Sequence, residues 1–258
     1  MASSPGHHLS PLLARAGFRH AFFTRAGGTS EGPFASLSFS TAVGDEPGHV
    51  DENLRRAASL LGVEPSRVLY LSQVHGREAR FYRSVEERSH LITLEGDAIG
   101  GTEPGSAYGV RSADCVPVLL ADAESGAVMA IHAGWRGVVA GVVEAGVAGL
   151  RQNIAGEGRL LAAIGPHISL PAFEVSAEVA AELAAVCPAP GAVEQANGAK
   201  PHVNLRFIVT QKLLKLGLTE ASVDQVGGCT FLDAEQYFSF RRDGKRSGRH
   251  LSAIVPRS

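Results

Sequence analysis

Cys115 and His132 are the residues whose types and spacing best suit chemistry, because they flank a predicted β-hairpin. The apolar segments 116–121 and 127–131 are separated by a turn-like segment with its centre near Ala123–Glu124. If the segments pair as antiparallel strands, partner numbers sum to about 247, which places Cys115 opposite His132 with Cβ atoms roughly 4.5–5.5 Å apart. A change of one residue in the turn register would move the two side chains to opposite faces. Pro117 limits its strand to an edge or a beginning.

A cysteine facing a histidine is open to three interpretations: a nucleophile with its base, a metal site, or two unrelated core residues. The neighbouring residues favour a functional site over two unrelated core residues. His132 opens the segment His-Ala-Gly-Trp-Arg-Gly, a predicted strand-to-helix turn in which Arg136 adds a positive charge. Free N–H groups at such a turn favour an anion, so Gly134 and Arg136 form a candidate anion site. The alternative is that the glycines only permit close helix–sheet packing and that Arg136 pairs at the surface.

His75 is the third member of the candidate cluster, since Gln-Val-His-Gly at 73–76 ends another predicted strand. Two histidines and one cysteine suit Zn²⁺ as three protein ligands with one open position for water or substrate. The same donors also accept copper, so ligand type alone does not select the metal. The spacing between the three residues is unlike a local metal-binding motif and gives only weak support.

The elements that must position these residues indicate one mixed α/β domain. Residues 1–10 are expected to form a flexible polar tail. The apolar spacing predicts a helix from Val50, closed by Gly62, and another that begins near Asn204. Helices are also expected over 176–186 and after His132, where apolar residues recur at helical spacing up to Val143. The predicted strands are 19–24, 68–71, 107–110, 116–121, 128–131, 160–164, a strand near 223, 237–240 and 251–255.

Length and composition exclude several classes of protein. The 258 residues carry 24 Lys and Arg against 26 Asp and Glu, a net charge of −2, so the basic surplus of a nucleic-acid binder is missing. The sequence has no apolar run near the roughly 20 residues of a membrane span, and its first residues do not resemble a secretory signal. Three widely spaced cysteines predict reduced thiols in a cytoplasm.

Together, the motifs resemble the YfiH-like, laccase-domain proteins, a family described both as polyphenol oxidases and as purine nucleoside phosphorylases. The resemblance runs in order along nearly the whole chain. Its most specific blocks are Ala-Asp-Cys at 113–115 and His-Ala-Gly-Trp-Arg-Gly at 132–137. The other matching segments are 23–28, 44–45, 73–76, 116–120, 164–166, 173–175, 229–230 and 238–242. The sequence differs slightly from the residues usual in this family at three places: Leu37-Ser38, Phe173 and Ser247-Gly248-Arg249.

The resemblance implies an α/β (α+β) sandwich, a single domain over 11–258 with mixed β-sheets flanked by helices. It also implies one metal site at His75, Cys115 and His132, the positions expected to carry catalysis. The implied activity is zinc-dependent cleavage of adenosine, inosine, guanosine and methylthioadenosine with phosphate, and deamination of adenosine. Older descriptions of the family imply a copper-dependent laccase. A further role described for bacterial members is the editing of a peptidoglycan precursor.

Three hypotheses follow: a purine nucleoside phosphorylase, a copper oxidase, and a metal-free Cys–His hydrolase that acts on an amide. The first requires a phosphate site, for which Arg25, Gly134 and Arg136 are the candidates. Asp97 and Asp114 are candidate carboxylates for supporting the metal ligands or moving protons, with a structural role favoured for Asp114. The expected partners are small nucleosides and phosphate; the sequence leaves the oligomeric state open.

Overall fold

The computed structural model describes residues 4–84 and 88–257. The strands of this part of the chain are β1 (His7–His8), β2 (His20–Phe23), β3 (Val68–Leu69), β4 (Ala79–Tyr82), β5 (Ala98–Gly101), β6 (Ala107–Ser112), β7 (Val116–Asp122), β8 (Val128–Ala133), β9 (Leu160–Ile164), β10 (Val193–Glu194), β11 (His202–Val203), β12 (Val223–Gln225) and β13 (His250–Ile254). The helices are α1 (Pro11–Arg15), α2 (Pro47–Leu61), α3 (Arg88–Leu91), α4 (Trp135–Ala140), α5 (Val142–Arg151), α6 (Ala177–Val186), α7 (Leu205–Lys215) and α8 (Phe240–Asp243). No helix in the described ranges is long and apolar enough to cross a membrane.

Two mixed sheets form the centre of the domain. One has the strand order β1-β2-β13-β6-β3, and the other has the order β12-β9-β7-β8-β5-β4. Each sheet is mainly antiparallel but includes parallel pairs: β3 with β6 in the first sheet, and β4 with β5 and β9 with β12 in the second. Strands β10 and β11 form a separate antiparallel pair.

The alternation of apolar residues along the strands produces four layers. Leu119, Ala121 and Ala130 project into a core between the two sheets, together with residues of β6 and β13. Residues on the opposite face of β7 and β8, such as Val118 and Ile131, pack against α4–α7. The outer face of the five-stranded sheet is covered by α2. The predicted sandwich of mixed sheets flanked by helices is therefore confirmed.

Local signals fix the ends of two helices. Helix α2 ends at Gly62, which adopts a left-handed conformation with φ of 66° and donates to the carbonyl of Ser59. Helix α7 begins after Asn204, whose side chain accepts a hydrogen bond from the Phe207 amide at 3.1 Å. Both ends were predicted from the sequence.

The structure differs from the expected flexible tail over the described part of residues 1–10. His7 and His8 form β1, which pairs with β2, while the Gly6 amide donates to Ala26. The Ser10 side chain caps α1 by accepting from the Leu13 amide at 3.2 Å. Pairing with a sheet edge gives this polar segment the backbone partners that a free tail would take from water.

Two further predictions of secondary structure are wrong in part. The predicted strand over 237–240 is instead a loop followed by α8, because Ser239 caps that helix by accepting from the Arg242 amide at 3.2 Å. Helical spacing does continue from Trp135 to Val143, but the helix is interrupted at Gly141, where φ is 93°.

The β7–β8 hairpin forms with a register that differs from the prediction. Val116 pairs with Ala133 and Pro117 with His132, so partner numbers sum to 249 and not to 247. Cys115 is therefore opposite Gly134 and diagonal to His132. The partner of each residue has moved by two positions, and side chains two residues apart in a strand share a face. Cys115 and His132 therefore remain on the same face of the sheet. Pro117 lies at the beginning of its strand, as expected.

Candidate metal centre

The cluster predicted from the sequence is assembled in the structure. One ligand atom from each of His75, Cys115 and His132 lies within 4.8 Å of the others. His75 comes from the loop after β3, Cys115 directly precedes β7, and His132 is near the end of β8. His132 is buried, Cys115 is half-buried and His75 is exposed, so the cluster opens to one side.

The backbone beside two of these residues is in an uncommon conformation. His75 has φ of 59° and Asp114, which precedes Cys115, has φ of 95°. Residues other than glycine adopt positive φ in only a few per cent of cases, with Asp and His among the enriched types. Such strained positions concentrate at functional sites, where surrounding contacts hold them.

The Asp97 carboxylate provides those contacts for His75 and His132. It is fully buried and accepts backbone N–H groups of Val74, His75 and Gly76 at 3.2, 3.0 and 2.7 Å. It also accepts from His132 Nδ1 at 2.8 Å. One carboxylate therefore fixes the loop that carries His75 and the tautomer of His132, so that Nε2 of His132 is left for a ligand.

The electrostatic interactions among Cys115, His132 and Asp97 favour the charged form of each side chain. Burial alone would raise the pKa of the Cys115 thiol, but the charge of His132 and hydrogen bonds from His132 and His75 lower it below its ordinary value. Burial would lower the pKa of His132, whereas the Cys115 thiolate and the Asp97 carboxylate raise it. For Asp97, burial is outweighed by the His132 and backbone hydrogen bonds, which lower its pKa. The site therefore favours a thiolate, the form of cysteine that binds metals.

Gly134 gives the cluster its space. A Cβ atom at this position would lie 2.8 Å from His75 Cδ2 and 3.0 Å from Cys115 Sγ. Such contacts are closer than normal packing allows, so a larger residue would displace the two ligands. The position opposite Cys115 in the hairpin therefore requires glycine.

The donor set fits a catalytic zinc ion. Two imidazole nitrogens and a thiolate are three of the ligands that Zn²⁺ prefers, and exposure of His75 leaves a fourth position open to the cleft. The hydrogen bond from His132 Nδ1 to Asp97 is the carboxylate–histidine arrangement common at zinc sites. Copper accepts the same ligands, so the geometry does not by itself choose between the two metals.

The cluster lies in a cleft of about 640 Å³, a volume typical of small-molecule sites. Arg111, Arg136, Arg241 and Arg249 all line this cleft. Apolar surface comes from residues that include Trp135 and Phe173. The cleft therefore combines a candidate metal centre with several donors for an anionic ligand.

Of the predicted anion-binding residues, Arg136 lines the cleft, whereas Gly134 lies against the His75 and Cys115 side chains. The Arg136 guanidinium is over the Trp135 ring at 4.3 Å. Arg25 does not line the cleft: it donates to the carbonyls of Ala35 and Ala234, both at 2.8 Å. Because Arg25 holds two loops together, the structure gives no support to its predicted contact with phosphate.

Sequence analysis missed the other arginines of the cleft. Arg249 donates to the Ser247 carbonyl at 2.7 Å, and Arg241 donates to the Glu174 carbonyl at 2.7 Å. Their chain segment is rich in basic residues, which was the available signal, but only the folded chain brings it beside Cys115. Gln73 also lines the cleft, yet its side chain is occupied by the Arg111 backbone in two hydrogen bonds of 2.7 and 2.8 Å.

Asp114 has the structural role that its position suggested. Its carboxylate accepts from the Thr230 hydroxyl and from the Arg241 amide, both at 2.6 Å. These bonds join the residue before Cys115 to the loop at 229–230 and to the start of α8. Asp114 therefore holds Cys115 and Arg241 in place.

The stacked mixed sheets and the His–Cys–His cluster define a class of α/β sandwich proteins with a candidate metal centre in a strand-end cleft. The sequence model of one family, described as multi-copper polyphenol oxidoreductase laccase, matches residues 19–257. The chain belongs to this family.

Relatives from the same family are known by a different activity. A protein of Streptomyces coelicolor named purine nucleoside phosphorylase is 39% identical over 233 residues, covering 90% of this chain and 93% of that protein. The Escherichia coli K12 protein named purine nucleoside phosphorylase YfiH is 36% identical over 234 residues and covers 90% of each chain.

Solved structures agree with the fold. The crystal structure of YlmD from Geobacillus stearothermophilus matches with a TM-score of 0.86 and 28% identity, over 96% of this chain and 94% of that one. The YfiH protein of Bacillus licheniformis has a TM-score of 0.89 over 100% of this chain and 98% of that one. At 24% identity, the second likeness concerns the fold alone.

Proposed function

We propose that this protein is a zinc-dependent purine nucleoside phosphorylase of the cytoplasm. Its substrates are adenosine, inosine, guanosine and methylthioadenosine with phosphate, and it also deaminates adenosine. The observation that carries the proposal is the combination in one cleft of the His75–Cys115–His132 cluster and four guanidinium groups. The name shared by relatives at 32–39% identity gives independent support.

In phosphorolysis, a phosphate oxygen forms a bond to C1′ of the ribose while the bond from C1′ to the purine nitrogen breaks. The purine takes up a proton, and the other product is ribose 1-phosphate. Phosphate must therefore be held beside the ribose. Arg136 suits this role because it lines the cleft and has no hydrogen-bond partner among the described residues.

The chain's own residues hold the zinc ligands in place. Asp97 accepts the His132 Nδ1 proton and the amides around His75, while Gly134 leaves room for the His75 and Cys115 side chains. Zinc, when bound, supplies a Lewis acid at the position open to the cleft. The apolar surfaces of Trp135 and Phe173 provide contacts for a nucleoside and limit the access of water.

Phosphate dependence is the direct test. Inosine should yield hypoxanthine and ribose 1-phosphate at a rate that saturates with phosphate. Arg136→Ala removes a charge-assisted hydrogen bond worth roughly 1.5–3 kcal/mol, so phosphate use should fall about 10- to 150-fold. Deamination of adenosine needs no phosphate and should be largely retained. Arg55→Ala is the matched control, because Arg55 is exposed on α2 and pairs only with Glu52 among the described residues.

The two activities check each other within one adenosine reaction. Equal loss of base release and deamination in Arg136→Ala would show that the arginine serves nucleoside binding or folding. Base release that does not depend on phosphate would make the protein a hydrolase and would overturn the proposal. Metal analysis of the purified protein should find one zinc per chain, and Cys115→Ala should lose it.

A Cys–His hydrolase is the second candidate, favoured by one observation. Asp97 orients His132 at 2.8 Å, and His132 in turn interacts with the Cys115 thiol, which is the order of groups in a cysteine nucleophile triad. Zinc would occupy the thiolate that such an enzyme needs. Amide hydrolysis that rises when zinc is removed and stops after alkylation of Cys115 would therefore favour this function over phosphorolysis.

The description of the family as copper oxidases can be tested by measuring phenol oxidation. One centre with three ligands does not supply the several copper ions of a laccase, and zinc has no redox chemistry. We expect no phenol oxidation from the zinc form. Any such activity should appear only after loading with copper, which binds these ligands more strongly than zinc does.

A further inference from the structure

A second, smaller pocket lies behind one wall of the cleft. Ile168 and Leu205 line the cleft, whereas their chain neighbours His167 and Arg206 line a separate pocket of about 100 Å³. Cys229 also lines this pocket, next to His167 in a short parallel pairing. At about 30 Å³ per water, the pocket is the size of about three water molecules, which is too small for a nucleoside.

His167 presents a hydrogen-bond acceptor in this pocket. Its side chain is 7% exposed, and Nδ1 donates to the Gly165 carbonyl at 2.8 Å. Nδ1 therefore carries the proton and Nε2 has a lone pair, for which the described residues provide no partner. Burial lowers the pKa of His167 to about 4; the Gly165 hydrogen bond opposes this effect, and the charge of Arg206 adds a smaller lowering of its own. The imidazole is neutral at pH 7 and can only accept at Nε2.

Arg206 presents the opposite chemistry. It is the second residue of α7, where the helix dipole adds partial positive charge. Its exposed guanidinium has no hydrogen bond or ion pair to any residue in the described ranges. The pocket thus offers a permanent cation with several donors together with a neutral acceptor.

Cys229 also lines the pocket, so the reactivity of its thiol can be used to detect a bound ligand although the thiol is not needed to bind it. Its sulfur accepts from the Ser169 amide at 3.3 Å, and the thiol is half-buried. A ligand held between His167 and Arg206 would cover this sulfur, because all three residues line the same small volume.

We propose that this pocket binds hydrogen phosphate, an oxyanion that keeps one proton at neutral pH. Arg206 donates to its oxygens, and its remaining O–H donates to His167 Nε2. Sulfate has the same shape but no proton to donate, so it would leave Nε2 without a partner and bind less tightly. A phosphate monoester as a dianion has also lost that proton, so inorganic phosphate is the preferred source. The site is separate from the catalytic cleft and does not depend on phosphorolysis.

The test measures alkylation of Cys229 by iodoacetamide in the zinc-loaded protein, with mass spectrometry of the peptide that contains it. We expect 20 mM phosphate at pH 7.5 to slow the reaction on the order of fivefold, which corresponds to a Kd of about 5 mM. Sulfate or methyl phosphate at equal ionic strength should slow it less than twofold. The buried Cys187, on another peptide, serves as an internal control for unfolding.

Two variants assign the effect to the pocket. Arg206→Gln should abolish protection, and His167→Gln should remove the preference for phosphate over sulfate, because the Gln amide can donate as well as accept. Arg55→Gln should behave as the wild type. Equal protection by phosphate and sulfate in the wild type, or protection that persists in Arg206→Gln, would overturn the proposal. If the wild-type protein shows no phosphorolysis but phosphate still protects Cys229 from alkylation, the proposed function is refuted and the phosphate pocket is not.

Discussion

Replacement of Asp97 by Asn tests whether one carboxylate organises the metal centre. In the wild type, Oδ1 accepts from the His75 amide and His132 Nδ1, while Oδ2 accepts from the Val74 and Gly76 amides. Asn preserves the size of the side chain but turns one of the two oxygens into an NH₂ group. That group would face two donors in a fully buried position, whichever way the amide is oriented.

The magnitude follows from the two donors that lose their acceptor. Each buried unsatisfied donor costs about 1–3 kcal/mol, so the free energy of unfolding should fall by about 2–6 kcal/mol. Because His75 or His132 is then no longer held for the metal, zinc affinity should fall about 10- to 100-fold. The stability loss by itself would not distinguish this role from that of any buried carboxylate.

Zinc affinity is therefore the deciding measurement, by competition with a chromogenic chelator alongside urea unfolding of both proteins. Asp122→Asn is the matched control: Asp122 is also buried and accepts from the Ser125 and Arg159 amides at 2.8 and 2.7 Å. It lies at the end of β7 away from Cys115, so it should lose stability while keeping zinc affinity. An Asp97→Asn protein with wild-type zinc affinity, or equal weakening in both variants, would refute the reasoning.

Three other outcomes are expected. Gly134→Ala places a methyl group against His75 and Cys115 and should weaken zinc binding at least tenfold by the same assay, whereas Gly48→Ala, with open space around it, should not. Cys115→Ser should reduce bound zinc measured by elemental analysis, since a hydroxyl is a poorer ligand than a thiolate; full zinc retention would exclude the thiolate as a ligand. Burial lowers the pKa of His250 to about 3, so the unfolded chain binds a proton below pH 6.5 that the folded chain rejects. Urea unfolding should show that the wild type loses about 2 kcal/mol more than His250→Gln between pH 7 and pH 5, and equal losses would contradict this.

The identity of the site residues was accessible from the sequence because each belongs to a distinctive local pattern. Cys115 directly precedes a buried strand, His132 precedes a glycine-containing turn, and His75 lies in the loop that follows a third strand. Strand and helix positions follow from apolar periodicity, which depends on neighbours a few residues away. That these three residues would meet was an expectation, and the structure places one ligand atom of each within 4.8 Å of the others.

The hairpin shows where local patterns stop being sufficient. In the observed register, each residue of β7 pairs with a residue two positions further along β8 than predicted. The Asp122 side chain accepts the Ser125 amide and closes a turn over 123–126 that apolar spacing does not reveal. The conclusion that Cys115 and His132 share a face survived only because the shift preserved parity. The role of Gly134 depends on the true register and could not be predicted.

What the sequence by itself determined is the longer helices, most strands of the two sheets and the candidate metal ligands, since these follow from short-range periodicity and side-chain chemistry. What only the tertiary structure decided is which charged residues reach the cleft. Arg25 and Arg249 are residues of the same type with different places in the fold. A hydrogen bond to the Ala35 carbonyl holds Arg25 away from the cleft, whereas Arg249 directly precedes β13 and lines the cleft. The physical reason is that a long, flexible side chain is placed by the carbonyls it meets after folding, and these come from segments distant in the sequence.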